Sequence, residues 1–345
     1  MNWIENSKKK LKAALSKQGN RSGPYLQWLK ERQDDSKLRI CNWNLSNGIP
    51  TFSSAFHDLE SGLVCFAGRP NSGKSTLLVN LMLGVCSLND DTIVLDISLD
   101  DPYLKRYQQY IAALSGLTYQ EITTSLNLSD TKKKLLEDSQ KVIEKLYTED
   151  KLRTIEAIET NEVAGEMVYY SFRQPETIFR LMRKTREEYP NKKIILMIDA
   201  WNNLDLSSAK GNSDLSQANY YLGKFQEEAN KLEIIVILSA HLRKSEKKHQ
   251  KSDLDDIKGT SDMAYNVVWA GIVRNELREN ILKSPLVYEE GDKMYPVVAI
   301  DVVKTKVSTW DMPLLYVLMS GQCGIKPLED YEYNQYLQEY LGVRK

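Results

Sequence analysis

Gly68-Arg69-Pro70-Asn71-Ser72-Gly73-Lys74-Ser75 follows the apolar run Leu63-Val64-Cys65-Phe66-Ala67 and precedes Thr76-Leu77-Leu78-Val79-Asn80-Leu81-Met82. The octet is a complete G-x-x-x-x-G-K-S phosphate-binding loop, and its flanks read as a buried strand before it and a helix after it. Its glycines let backbone N–H groups turn inward around phosphate oxygens. Lys74 then reaches the β- and γ-oxygens, and the Ser75 hydroxyl is placed to bind Mg²⁺. The expected nucleotide contacts are Gly68, Arg69, Pro70, Asn71, Ser72, Gly73, Lys74, Ser75 and Thr76. A chance glycine-rich turn would not come with both flanks. The stretch predicts a nucleoside triphosphate site in an α/β protein.

The 345 residues suffice for one large α/β domain with an appendage, or for two smaller domains. Hydrophobic residues make up 42% and charged residues 27%, as in a soluble protein with a real core. Net charge is −1, so no global basic field points to nucleic acid, and any DNA-binding surface must be local. Cys41, Cys65, Cys86 and Cys323 have no paired spacing, which argues against zinc and against a disulfide framework. The expected compartment is therefore the cytoplasm. The longest apolar runs, such as Ile234-Ile235-Val236-Ile237-Leu238, are strand length and too short to span a bilayer. Lys8-Lys9-Lys10 is followed by no apolar stretch of signal-peptide type.

Residues 1–45 differ in character from the rest of the chain. The first 21 residues carry six basic side chains against one acid, with Ile4, Leu11 and Leu15 spaced for one face of a helix. Tyr25, Leu26 and Leu29 suggest a second short helix after Gly23-Pro24. Such a helical arm could pack on its own core or on a neighbouring subunit; a partly ordered, solvated leader is the alternative. Residues 46–330 read as one domain and 331–345 as a tail. Strands are expected at 62–67, 92–97, 194–198, 234–239, 266–273, 298–303 and 313–319. The central ones are continuous apolar runs, which predicts a mostly parallel sheet with helices on both faces. Residues 103–147 and 175–188 read as helical, whereas 150–173 has no clean period.

A triphosphate site that hydrolyses its ligand also needs acids, usually at the carboxyl ends of neighbouring strands. Ile194-Ile195-Leu196-Met197-Ile198-Asp199 has the Walker B form, making Asp199 the expected metal acid beside Ser75. The strand at 92–97 runs into Ser98-Leu99-Asp100-Asp101-Pro102, where a carboxylate could polarise the attacking water. Asp101, directly before Pro102, suits a helix N-cap, which leaves Asp100 as the candidate base. The third strand ends in Ser239-Ala240-His241, placing His241 where it could sense the γ-phosphate; a structural histidine is the alternative.

These segments, in this order, resemble the hexameric replicative DNA helicases of the DnaB type, with RecA-like ATPase domains and phage relatives, over roughly residues 45–325. Gly48-Ile49-Pro50-Thr51 is similar to the Gly-Ile-Pro-Thr that introduces the helicase domain, and Gly68-Arg69-Pro70 to its Ala-Arg-Pro. Ser98-Leu99-Asp100-Asp101 resembles the Ser-Leu-Glu-Met whose Glu is the catalytic base, followed by a similar Leu114-Ser115-Gly116. Ile198-Asp199-Ala200-Trp201 resembles Ile-Asp-Tyr-Leu. His241-Leu242-Arg243-Lys244 is similar to the His-Leu-Lys or His-Leu-Arg of phage primase-helicases. Asp255-Asp256-Ile257-Lys258-Gly259-Thr260-Ser261 resembles Asp-Leu-Arg-Gly-Ser. Asp301-Val302-Val303-Lys304-Thr305-Lys306 resembles the strand end that sends a finger to the neighbour's ATP.

The resemblance implies ATP and Mg²⁺ as ligands, a homo-oligomeric (hexameric) ring, single-stranded DNA in its channel, and a primase or helicase loader as partner. Lys304 and Lys306 would then complete the next subunit's site. Two departures bear on rate. Asp100 is one methylene shorter than Glu, and Lys306 replaces Arg, whose planar fork binds phosphate at two points. With about 45 residues ahead of the core, no collar, primase or zinc module is expected. Two polar segments suit a DNA channel. One is residues 206–217; the other holds Arg243, Lys244, Lys247, Lys248, Lys251 and Lys258. No aromatic interleaves these cations, which fits backbone tracking, although Glu246, Asp253, Asp255 and Asp256 also fit a plain solvated loop. Against a helicase stand a non-helicase RecA-like ATPase, recombinase-like or a regulatory or defence switch, and a degenerate nucleotide-binding module.

Overall fold

Strand-length apolar runs become the sheet. The computed structural model describes residues 55–56, 59–124, 128–163, 166–209, 213–242, 256–257, 263–275, 277, 286–309, 312–319 and 321–342. The arm at 1–45 and the basic positions Arg243, Lys244, Lys247, Lys248, Lys251 and Lys258 lie outside these residues.

Six strands run parallel: β1 (Gly62–Gly68), β2 (Thr92–Ser98), β3 (Leu152–Glu156), β6 (Lys193–Asp199), β7 (Ile234–His241) and β8 (Val267–Arg274). They lie in the order β8-β1-β7-β6-β2-β3. The sheet continues beyond β8 with antiparallel β10 (Lys293–Thr305), β11 (Leu314–Met319) and β12 (Gly324–Lys326), and β9 (Val287–Glu290) pairs with β10. The mostly parallel α/β sheet expected from the apolar runs is thus present.

Each central strand is buried on both faces, and its side chains alternate between two cores. Val64 and Phe66 of β1, Ile195 and Met197 of β6, and Ile235 and Ile237 of β7 enter the first core. It is covered by α1 (Lys74–Leu88), α2 (Tyr103–Ser115) and α4 (Asp130–Thr148), with the short α3 (Tyr119–Thr124) beside them. Leu63, Cys65 and Ala67, with Leu196, Ile198, Val236 and Leu238, enter the second core under α5 (Pro175–Glu188) and α6 (Asp214–Lys231).

The aperiodic 150–173 stretch contains β3 and a separate antiparallel hairpin, β4 (Ile158–Val163) with β5 (Glu166–Ser171). β3 is an edge strand buried only at Leu152 and Ile155, so it carries no continuous apolar run. A short helix, α7 (Met263–Asn266), precedes β8. Helix α8 (Asp330–Gly342) lays Tyr333, Tyr336, Leu337 and Tyr340 on a third, small core under β9, β10 and β11. The segment 206–217 is not one loop. Ser213 caps α6 through a reciprocal box with Ser216, so residues 214–217 form that helix's first turn.

This topology puts chemistry at one edge. Gly68 pairs with His241 and Ser98 with Asp199, so four parallel strands deliver their carboxyl-end residues to the same side of the sheet.

Candidate nucleotide-binding site

Loop 68–75 opens directly into α1, whose N-cap is Gly73 and whose first turn receives no side-chain cap. The donors of that turn therefore need an acceptor from elsewhere. Gly73 has φ 97, and a Cβ there would sit 2.9 Å from Leu318 Cδ2, so only glycine fits. The Lys74 ammonium is buried and folds back onto its own loop, donating to the Gly68 and Arg69 carbonyls at 2.9 Å each. Ser72 is also buried, and among the described residues its hydroxyl finds no hydrogen-bond partner.

In front of this loop lies a cavity of about 540 Å³. It is lined by Pro70, Asn71, Gly73, Lys74, Ser75 and Thr76 from the loop, and by Asp100, Asp199 and His241 from the strand ends. The structure therefore brings together the loop, the Walker-B-like acid, the candidate base and the candidate sensor. Asp100 is exposed at the rim and accepts a hydrogen bond from the Asn203 amide. The His241 N–H donates at 2.6 Å to the Asn202 side chain. Asn202 and Asn203 belong to the 3₁₀ turn Trp201–Asn203 that follows Asp199, so this turn contacts both neighbouring strand tips.

The expected Asp101 cap is not formed. Pro102 occupies the N-cap of α2 without a side-chain bond, and the Tyr103 N–H at its start donates to Glu156 of β3 at 2.5 Å. The Asp101 carboxylate instead turns along the helix to Lys105 and to Gln109 Nε2 at 2.8 Å, and Asp101 lines the cavity beside Asp100. Proline supplies no donor of its own, and the first free N–H already has a carboxylate from the next strand.

Asp199 is buried and does not stand alone. Arg106 of α2 donates from Nη2 to Asp199 Oδ2 at 2.8 Å, and its Nε lies 3.2 Å from Asp96 Oδ2 of β2. Burial opposes the charge on Asp199, but Arg106, with the Ser239 and Ser75 hydroxyls, holds its carboxyl below the ordinary range. Asp96 goes the other way: burial outweighs Arg106 and the Tyr110 hydroxyl and pushes it up. Arg106 itself is driven further toward its charged form, since the two acids outweigh its own burial. Sequence pattern gave no hint of Arg106 or Asp96, because a guanidinium on an amphipathic helix reads as solvent-facing. Tyr119, Met319 and Cys323, which line the cavity beside Thr76, are likewise beyond local reading.

Lys304 and Lys306 are not in this cavity. β10 runs antiparallel to β8, and the Lys306 N–H bonds to the Val268 carbonyl near the start of β8. Val273 is the residue paired with Gly68, so Lys306 lies five residues of strand, roughly 17 Å, from its own phosphate loop. The two lysines are neighbours. Partial burial and the adjacent Lys306 push the Lys304 ammonium down to about 8.

The uncapped first turn of α1, the unpartnered Ser72 hydroxyl and the buried Lys74 fit a chain of phosphates. Ser75 beside Asp199 fits a hydrated Mg²⁺. Among the described residues no cluster of three or more His, Cys, Asp or Glu forms a separate metal site, and no helix is long and apolar enough to cross a membrane.

The mostly parallel sheet with helices on both faces is a RecA-like α/β fold. Solved structures with this fold include one described as an ATPase domain, matched with TM-score 0.69 and 15% identity over 90% of this chain and 99% of that one. A DnaB-like replicative helicase, described with its interactions with primase, matches with TM-score 0.67 and 15% identity, covering 90% of this chain and 67% of that one. At the level of fold, the resemblance to DnaB-type helicases therefore holds. No family model and no curated protein matches the sequence.

Proposed function

We propose that the chain is a Mg²⁺- and ATP-dependent DNA helicase that assembles into a ring and moves along single-stranded DNA in replication. One observation carries this reading: the phosphate loop and the candidate finger lie at opposite ends of the strands of one sheet. A site with both must combine two subunits, and repetition of such a contact closes a ring. The fold shared with a solved ATPase domain and a DnaB-like helicase supports it.

In this reading loop 68–76 binds ATP, with Lys74 on the β- and γ-phosphates. Ser75 and Asp199 hold Mg²⁺, which when bound offsets phosphate charge. Asp100 orients the attacking water and accepts its proton, while His241 senses the γ-phosphate. Lys304 and Lys306 reach into the next subunit's site. Arg243, Lys244, Lys247, Lys248, Lys251 and Lys258 track the DNA backbone, and a primase or loader is the expected further partner in the cytoplasm, that of a bacterial host if the chain is phage encoded.

The direct test is ATPase activity with and without single-stranded DNA. Stimulation that disappears in Lys74→Ala supports the helicase; no stimulation by any single strand rejects it. A second reading, a RecA-like regulatory ATPase with slow turnover, draws on the short Asp100 side chain already engaged by Asn203. It predicts ATP binding and turnover indifferent to DNA.

A further inference from the structure

Asp96 and Arg106 form a buried pair between β2 and α2. Asp96 sits in β2 on the same face as Val94, under α2, and is wholly buried with Arg106 and Tyr110 as its polar neighbours. Taking these charges from water is costly, and an apolar pair of similar volume would often be as stable. Their geometry suggests what they do. Arg106 spans from Asp96 on β2 to Asp199 on the adjacent β6, and its Nη1 donates to Gln109 Oε1 at 3.0 Å. Gln109 in turn donates to Asp101 at the cavity wall. The guanidinium is thus fixed from two sides before it meets Asp199.

We infer that Arg106, anchored by Asp96, is a positioning residue for the divalent cation: it commits Asp199 Oδ2 and orients the remaining oxygen toward the Ser75 side. The inference rests on the nucleotide site proposed above. Outer partners that orient metal-binding carboxylates typically govern affinity by about 10- to 100-fold. Lysine at 106 supplies a point charge and cannot bridge both acids with the same fork.

The test is equilibrium binding of a fluorescent ADP analogue in Mg²⁺ and in EDTA, with Mn²⁺ binding read by electron paramagnetic resonance. Arg106→Lys and Asp96→Asn are measured beside Asp199→Asn, and thermal melting checks folding. Asp96→Asn loosens the anchor of the guanidinium while keeping both Arg106 and Asp199, and so keeps the test open if changes at Arg106 prevent folding. The expected result is about a tenfold loss of Mn²⁺ affinity and of the Mg²⁺ enhancement, with affinity in EDTA within about twofold of wild type. Folded variants with wild-type cation dependence overturn the inference, and if Asp199→Asn alone loses it, the nucleotide site stands. A wild-type chain with no Mg²⁺-dependent nucleotide binding overturns both.

Discussion

Asp100 combines a short side chain with a partner already in place, the Asn203 amide. A general base needs its carboxylate oriented and charged when water approaches, and asparagine at the same position preserves shape while removing basicity. Asp100→Asn is expected to lower kcat about 100-fold and to leave nucleotide affinity within about twofold, measured by steady-state ATPase and equilibrium binding. Lys304 links charge to stability. Its folded value of about 8 lies below the 10.5 of an unperturbed lysine. Between these values the unfolded chain binds more protons than the folded one, so this lysine's contribution makes stability rise with pH across that window. Below about pH 8 the full penalty applies. Lys304→Gln should therefore be more stable than wild type near neutrality, by under about 1 kcal/mol because solvent screens the pair. The difference should shrink toward pH 10.5, as read from urea unfolding midpoints.

At the scale of elements, two contacts hold the scaffold that carries these groups. Arg186, near the end of α5, donates to the carbonyls of Tyr189, Pro190, Lys192, Leu232 and Glu233. It ties the helix end to the segments entering β6 and β7, the strands that deliver Asp199 and His241. Arg186→Ala leaves these partly buried carbonyls without their donor and should cost about 2–3 kcal/mol in chemical denaturation. Gly271 in β8 lies beneath the Trp269 ring, and a Cβ there would also sit 2.6 Å from Ile300 Cγ2 of β10. Gly271→Ala overfills the joint between the parallel strands and their antiparallel extension, with an expected loss of about 1–3 kcal/mol visible in Tm.

For the molecule as a whole, the decisive feature is the direction of β10. Its reversal carries Lys304 and Lys306 away from the chain's own loop at 68–75. In the proposed ring, Lys74→Ala and Lys306→Ala would damage different halves of a shared site. Mixed before assembly, the two inactive proteins should recover measurable DNA-stimulated ATPase, because some interfaces pair the two intact halves. A mixture as inactive as either parent would count against a site shared between subunits.

Local patterning was enough for the central strands, because a strand buried on both faces is mostly apolar and so announces itself as a short continuous run. It also marked the loop at 68–75 and the polar residues Asp100, Asp199 and His241, since strand ends in a parallel sheet are where the chain leaves the core. The edge strand β3 and the β4–β5 hairpin escaped it, being half-exposed and without a clean period. So did the Asp101 partners, supplied by α2 while Glu156 of β3 took the expected cap. Strand order placed β6 beside β2, and only that adjacency lets one guanidinium on α2 meet both Asp96 and Asp199. Side-chain periodicity reports which way a residue faces in its own element; which residue it meets depends on chain segments far away in sequence.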